Sequence, residues 1–363
     1  MIVHLMTDNY YTAPAIRQFE KAFPGRSKYY VLSNSELRYI SNHSSIIQCT
    51  AHSKEMWQNI KQASLLCIYG VNMIFSKKKY LYKTIWFLYG GEFWNNPEII
   101  DQNKVVLSKL GFKNTIKSNR ISSRVFYYMR YGYSPYLRLK RALKGVKYCA
   151  FVNPFEVSYI SKVLRNELIH IPYTYSLLEE FNMDSSFNKG CNVWVGHSAS
   201  QTNNHIDLAR YLIKIIPQQI DSCNRELIIP LGKGGDPNYI MKVKQKYENI
   251  FNGNVKFVDE FLSHNKLELI MKKCEYAFMN HTRQEALGTM FILLYKGVRL
   301  YIRNQTTTFL LFQKLGLFFS VIDESNELIP LTLSQKEHNR KIVIEYISQT
   351  HDNFINDFST LLA

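Results

Sequence analysis

Two short segments carry the residues best suited to chemistry. Val193–Ile206 contains Gly196, Ser198, Asn203 and His205. Thr282–Met290 contains Arg283, Gln284, Gly288 and Thr289. Each reads as an apolar strand, a small polar loop and the start of an amphipathic helix. That order aims backbone N–H groups and a positive helix end at one spot, where a diphosphate fits. Gly196 allows a tight turn, Ser198 can donate to a phosphate oxygen, Asn203 can cap a helix and His205 falls in its first turn. Arg283 brings a permanent planar cation, and Gly288 permits close backbone approach. An ordinary capped loop would use many of the same residues. Two such loops in one half of a chain favour a nucleotide-sugar pocket.

A third loop, Pro230-Leu-Gly-Lys-Gly-Gly-Asp-Pro237, places Gly232 after another apolar run. It lacks the spacing and the Lys-Ser/Thr end of a P-loop, so it reads as a cleft wall or a plain turn. In the N-terminal half, Asp8 follows one strand and Glu92 another, within Tyr89-Gly-Gly-Glu-Phe-Trp94. A carboxylate at a strand end can act as general base on a hydroxyl. Either acid could instead be a loop cap. Trp94 offers a ring on which a sugar could stack.

These candidates need strands to place them. The N-terminal half reads as strands over Ile2–Thr7, Tyr29–Ser33, Leu65–Gly70, Thr84–Gly90, Lys147–Val152 and Leu168–Pro172. Helices are expected over Pro14–Ala22, Ser53–Ala63 and Phe155–Leu164. The second half reads as strands over Asn192–Gly196, Glu226–Leu231, Val255–Val258, Tyr276–Asn280, Arg299–Arg303 and Phe318–Ile322. Between them, Ile206, Ala209, Leu212, Ile213 and Ile216 share one helical face. Pro237 suits the first position of a helix, Ser263 an N-cap, and Gly297 the close of Leu287–Lys296. The alternation implies two doubly wound parallel sheets, whose ligands bind outside the carboxyl ends of the strands. The expected division is an acceptor-binding domain at 1–176, a linker at 177–190, a nucleotide-sugar-binding domain at 191–335, and C-terminal helices at 336–363 that could pack back on the first domain.

The chain has 363 residues, 46% of them apolar, and a net charge of +16. That excludes a disordered protein and favours anionic partners. The charge is uneven: Gln102–Phe155 holds twelve Lys/Arg and no Asp or Glu. There Arg120, Arg124, Arg130, Arg138, Lys140, Arg141 and Lys144 are interleaved with Phe126, Tyr127, Tyr128, Tyr131, Tyr133 and Tyr136. Basic plus aromatic describes a peripheral membrane surface; it also describes single-stranded nucleic-acid binding or a solvated face. The six cysteines are scattered, with no metal-ligand spacing, and read as reduced thiols of a cytosolic protein. No signal peptide is expected, and no apolar run is long enough to span a bilayer.

The motif order resembles the TDP-N-acetylfucosamine:lipid II N-acetylfucosaminyltransferases, glycosyltransferase family 56. The family's Val-Gly-X-Ser…Asn-X-His-Ile segment stands here as Val195, Gly196, Ser198, Asn203, His205 and Ile206. Its Arg-Gln-X-X-Gly-Thr segment falls on Arg283, Gln284, Gly288 and Thr289. Pro230, Gly232, Tyr239 and Ile240 match a third segment. The family's Asp after the first strand falls on Asp8, and its Gly-X-acid-aromatic segment on Gly90, Glu92 and Phe93. The acid after glycine is Asp in the family and Glu92 here, and Glu285-Ala286-Leu287 departs from the family's run.

The resemblance implies a GT-B fold, two facing Rossmann-like domains, the first for the acceptor and the second for the donor. It implies a dTDP-activated dideoxy-amino sugar and an undecaprenyl-diphosphate-linked saccharide acceptor, used in O-antigen or common-antigen synthesis. The protein would sit peripherally on the cytoplasmic face of a bacterial membrane, with no cofactor, metal or nucleic acid. A metal-free sugar-nucleotide epimerase of the same fold is the alternative, and a non-enzymatic nucleic-acid-binding protein a more distant one.

Overall fold

Apolar runs with no polar alternation make strands buried on both faces, as a parallel sheet covered by helices requires. The computed structural model of the protein describes residues 1–38, 40, 45–70, 83–94, 129, 135–175, 186–216, 224–260, 262 and 264–363. The first unit holds β1 (Ile2–Met6), β2 (Ser27–Leu32), β3 (Ile46–Cys49), β4 (Leu65–Tyr69), β5 (Thr84–Phe87), β6 (Tyr148–Phe151) and β7 (Ile169–Pro172). Its helices are α1 (Thr12–Ala22), α2 (Lys54–Gln62), the single turn α3 (Gly91–Trp94), α4 (Pro135–Leu143) and α5 (Pro154–Leu164). All pairs are parallel, in the order β3-β2-β1-β4-β5-β6-β7. Every residue of β1, β4 and β5 is buried.

The second unit holds β8 (Asn192–Val195), β9 (Leu227–Pro230), β10 (Val255–Val258), β11 (Cys274–Met279), β12 (Arg299–Ile302) and the two-residue β13 (Ser320–Val321). Between them run α6 (His205–Ile215), α7 (Pro237–Phe251), α8 (His264–Met271), α9 (Leu287–Tyr295) and α10 (Thr307–Leu315). The order is β10-β9-β8-β11-β12-β13, again parallel. The last helix, α11 (Leu333–Leu362), is assigned to the first unit from Ile347 onward. There Phe354 and Phe358 meet Phe19 of α1 at ring distances of 5.4 and 5.0 Å.

Several local expectations hold. Pro237 opens α7 behind Asp236, whose carboxylate accepts from the Asn238 and Tyr239 amides. Gly297 follows α9 at φ +80, where a side chain would be strained. Others are corrected. Of the expected α6 face, Ala209, Leu212 and Ile216 are buried and Ile206 packs against the same core together with Leu208 and Ile215, but Ile213 is 45% exposed. The helix starts at His205, and its apolar stripe follows three- and four-residue steps from there. β3, only partly buried, carries too little apolar signal to read from sequence. Residues 186–190 are fastened to the second unit: the Asn188 side-chain amide donates to the Met271 and Cys274 carbonyls. Cys49, Cys67, Cys149 and Cys274 are thiols, but Cys191 is disulfide-bonded, a departure from six reduced cysteines. Ser263 lies outside the described residues.

Candidate active site

In each sheet the strand order reverses once, and the loops leaving the two strands at the reversal diverge to opposite faces. The crevice this opens is where such sheets bind ligands. In the second unit the reversal falls between β8 and β11. The loop after β8 carries Gly196, Ser198, Asn203 and His205, and the loop after β11 carries Arg283, Gln284, Gly288 and Thr289. The sequence candidates therefore converge on one place.

Asn203, fully buried, organises that place. Its Oδ1 accepts from the His197 amide at 2.8 Å and faces His281 Nε2 at 3.0 Å; its Nδ2 donates to Ser198 Oγ and the Ser200 carbonyl, both at 3.2 Å. It is therefore not the helix cap expected; Asn204, at φ 51, stands there. Ser198 Oγ already accepts from Asn203 and from the Ser200 amide, so its own proton is left for an anion. Asn204 and Asn280 exchange side-chain-to-carbonyl hydrogen bonds at 3.1 Å, which joins the two loops at their bases.

His205 is fully buried, and burial pushes its pKa down to about 3, so the ring is neutral. The Tyr239 hydroxyl accepts from the His205 amide at 3.2 Å and lies 3.1 Å from Nδ1. In the arrangement where the Tyr239 O–H donates to Nδ1, the ring proton sits on Nε2. That Nε2 has no protein partner among the described residues. It lies beside Gly196, where an added Cβ would sit 2.6 Å away.

On the other loop, Arg283 is 8% exposed and its Nη2 donates to Glu285 Oε1 at 3.0 Å, while its Nε has no partner among the described residues. Burial alone would raise the Glu285 pKa; His281, Arg283 and the Thr202 hydroxyl overcome that and hold it at about 2. Gly288 and Thr289 fall in the first turn of α9, whose opening N–H groups have no intrahelical acceptor. The Thr289 hydroxyl is 3.3 Å from His197 Nδ1. Gly232 lies in the turn after β9. Gly235 of the same turn approaches Ala199 so closely that a Cβ would sit 2.4 Å from the Ala199 methyl, and the Ala199 amide donates to the Lys233 carbonyl. Sequence reasoning missed Glu285, His281 and Thr202. The signal was an acid two residues from Arg283, read only as a departure from the family's run.

In the first unit the order reverses between β1 and β4. Asp8 follows β1, and its carboxylate accepts from the Arg38 amide at 2.6 Å, which ties it to the loop after β2. Glu92 lies in α3, just past β5. Its Oε1 accepts from the Tyr89 amide at 3.0 Å and from Trp86 Nε1 at 3.2 Å. Burial pushes its pKa up to about 7 despite those donors. Trp94 requires correction. It is 3% exposed, stacks on Tyr159 and donates its indole N–H to Glu156, so it belongs to the core and not to a sugar-facing surface.

Of the basic stretch, α4 and its flank are described. Arg141 and Lys144 are exposed and Lys140 is half-buried, while Leu139, Ala142 and Leu143 point inward. The side chain of Arg138 and residues 95–128 and 130–134 lie outside the described residues. Among the described residues no helix is long and apolar enough to cross a membrane.

A family described as 4-alpha-L-fucosyltransferase, glycosyl transferase group 56, matches residues 120–363. Solved structures share the fold across nearly the whole chain. WaaG, a glycosyltransferase involved in lipopolysaccharide biosynthesis, is 10% identical, with a TM-score of 0.51 covering 99% of this chain and 95% of that one. Sucrose-phosphate synthase from Thermosynechococcus elongatus is 10% identical, with a TM-score of 0.57 and coverage of 99% and 98%. HepE from Anabaena, solved in complex with UDP and glucose, is 12% identical, with a TM-score of 0.58 and coverage of 99% and 98%. The two parallel-sheet α/β units are those of GT-B glycosyltransferases.

Proposed function

The chain belongs to glycosyltransferase family 56, and from that premise we propose that it moves a dideoxy-amino sugar of the N-acetylfucosamine kind. The donor is a dTDP-sugar, and the acceptor an undecaprenyl-diphosphate-linked saccharide used in bacterial surface polysaccharide synthesis. One observation carries the reading: at the β8/β11 reversal, His205 Nε2 and Arg283 Nε have no partner among the described residues, and they stand with the Ser198 hydroxyl beside the open first turn of α9. That is the chemistry of a diphosphate site. His205 is neutral, so it hydrogen-bonds without adding charge. Arg283 and the helix end meet the negative charge that develops on the leaving diphosphate.

The first unit supplies the base. In a single displacement the acceptor oxygen attacks the anomeric carbon, the bond to the diphosphate breaks, and the hydroxyl proton passes to Glu92. A carboxylate with a pKa of about 7 is half ionised at neutral pH and matched to that transfer. The exposed cations of α4 hold the protein at the anionic cytoplasmic face, where the lipid-linked acceptor lies.

A thermal-shift comparison of dTDP, UDP, GDP and CMP tests the donor, because a ligand that binds only the folded state raises Tm. dTDP is expected to give the largest shift. A shift with UDP or GDP and none with dTDP would remove the thymidine assignment.

A further inference from the structure

Glu285 is an acid in a site built to receive an anion. Its carboxylate is shared between the two loops: Oε1 accepts from Arg283 Nη2 at 3.0 Å, and Oε2 accepts from Thr202 Oγ1 at 2.6 Å. Thr202 belongs to the short turn Gln201–Asn203 on the β8 side, Arg283 to the loop after β11. An ionised carboxylate only accepts hydrogen bonds, so the Thr202 proton must point at it. Ser200 Oγ, 2.7 Å from Thr202 Oγ1, must then donate in turn. The order runs Ser200 to Thr202 to Glu285, and it continues the loop that presents Ser198. At the other end, Glu285 occupies one edge of the guanidinium, and Nε has no partner among the described residues.

We propose that Glu285 is a positioning residue of the donor site, tying the Thr202 turn to the Arg283 loop so that the other edge of the guanidinium faces the diphosphate. The inference rests on the reading of these loops as the diphosphate site. Arg283 would otherwise have several rotamers open to it, and a fork aimed in advance loses less entropy on binding. The carboxylate neutralises part of the charge it aims; the gain is geometric.

The test is a double-mutant cycle read by calorimetric titration of the full chain with dTDP, or with whichever nucleoside diphosphate the wild type binds. Arg283→Ala and Glu285→Gln should each weaken binding roughly tenfold to a hundredfold, the range of a lost charged hydrogen bond. The double variant should be little weaker than Arg283→Ala alone, because Glu285 acts through that residue. The free nucleoside, which has no phosphates, should bind Glu285→Gln as it binds wild type. Should Glu285→Gln fail to fold, Thr202→Val cuts the other end of the tie and should show the same non-additivity with Arg283→Ala. Additive losses, or tighter binding in Glu285→Gln, would overturn the positioning role while leaving the donor site intact. Unchanged binding in Arg283→Ala would overturn both.

Discussion

Gly196 and His205 approach so closely that only a hydrogen fits between them: a Cβ on Gly196 would sit 2.6 Å from His205 Nε2. Gly196 also holds φ +74, a left-handed conformation strained for other residues. Gly196→Ala should therefore be penalised twice. Forcing a methyl into a packed site costs about 1–3 kcal/mol, roughly several degrees in Tm for a domain of this size. The displaced imidazole should also lose its aim, so nucleoside-diphosphate affinity should fall with stability. A melt and titration matching wild type would mean that the loop relaxes freely.

Glu92→Gln should lower kcat by about 10²–10⁴-fold, the usual contribution of a positioned base, while dTDP affinity, set in the other unit, stays intact. Asp8→Asn, whose carboxylate already serves the Arg38 amide, should change kcat far less. If Glu92 is the base, wild-type kcat/KM should rise with pH through about 7 and level off above it. Stability should move the other way. The folded pKa lies above the ordinary 4.5, so the folded state holds a proton the unfolded state has released between those values. The Glu92 contribution is therefore complete below about pH 4.5 and lost as pH rises through about 7. Glu92→Gln should remove that slope; a variant with wild-type turnover and an unchanged profile would dismiss Glu92.

The sequence made the switch-point loops legible because their signals are local. Buried parallel strands read as unbroken apolar runs, and Gly196, Asn203 and Arg283 stand at fixed offsets from them. What it hid depends on tertiary partners. Nothing local says that Asn203 would join two loops instead of capping a helix, or that Glu285 would find Thr202 83 positions away. Trp94 misled for the same reason: an aromatic after a Gly-Gly turn suits a sugar platform, and only the fold brings Glu156 and Tyr159 to it. β3 stayed hidden because a half-exposed strand of four residues has no distinctive pattern.

Trp94→Phe should then act on stability and not on the acceptor. Phenylalanine keeps most of the ring packing but leaves the buried Glu156 carboxylate without the indole N–H. Losing that hydrogen bond costs about 0.5–1.5 kcal/mol. The acceptor KM of the folded variant should stay near wild type. A large rise in that KM with no loss of Tm would return Trp94 to the acceptor surface.

The cations of α4 should govern membrane docking. Leu137, Arg141 and Lys144 are exposed at four- and three-residue steps, so one side of this helix and its flank presents an apolar contact and two charges, while Leu139, Ala142 and Leu143 face the core. Each cation near an anionic leaflet contributes about 1 kcal/mol, screened by salt within a Debye length. Neutralising Arg138, Lys140, Arg141 and Lys144 together should cut binding to anionic liposomes steeply at low salt and less at high salt. Turnover on a lipid-linked acceptor should fall with it, while turnover on a short soluble acceptor survives, because Glu92 and the switch-point loops are untouched. Equal loss on both acceptors would show that the stretch supports the fold and does not dock the membrane.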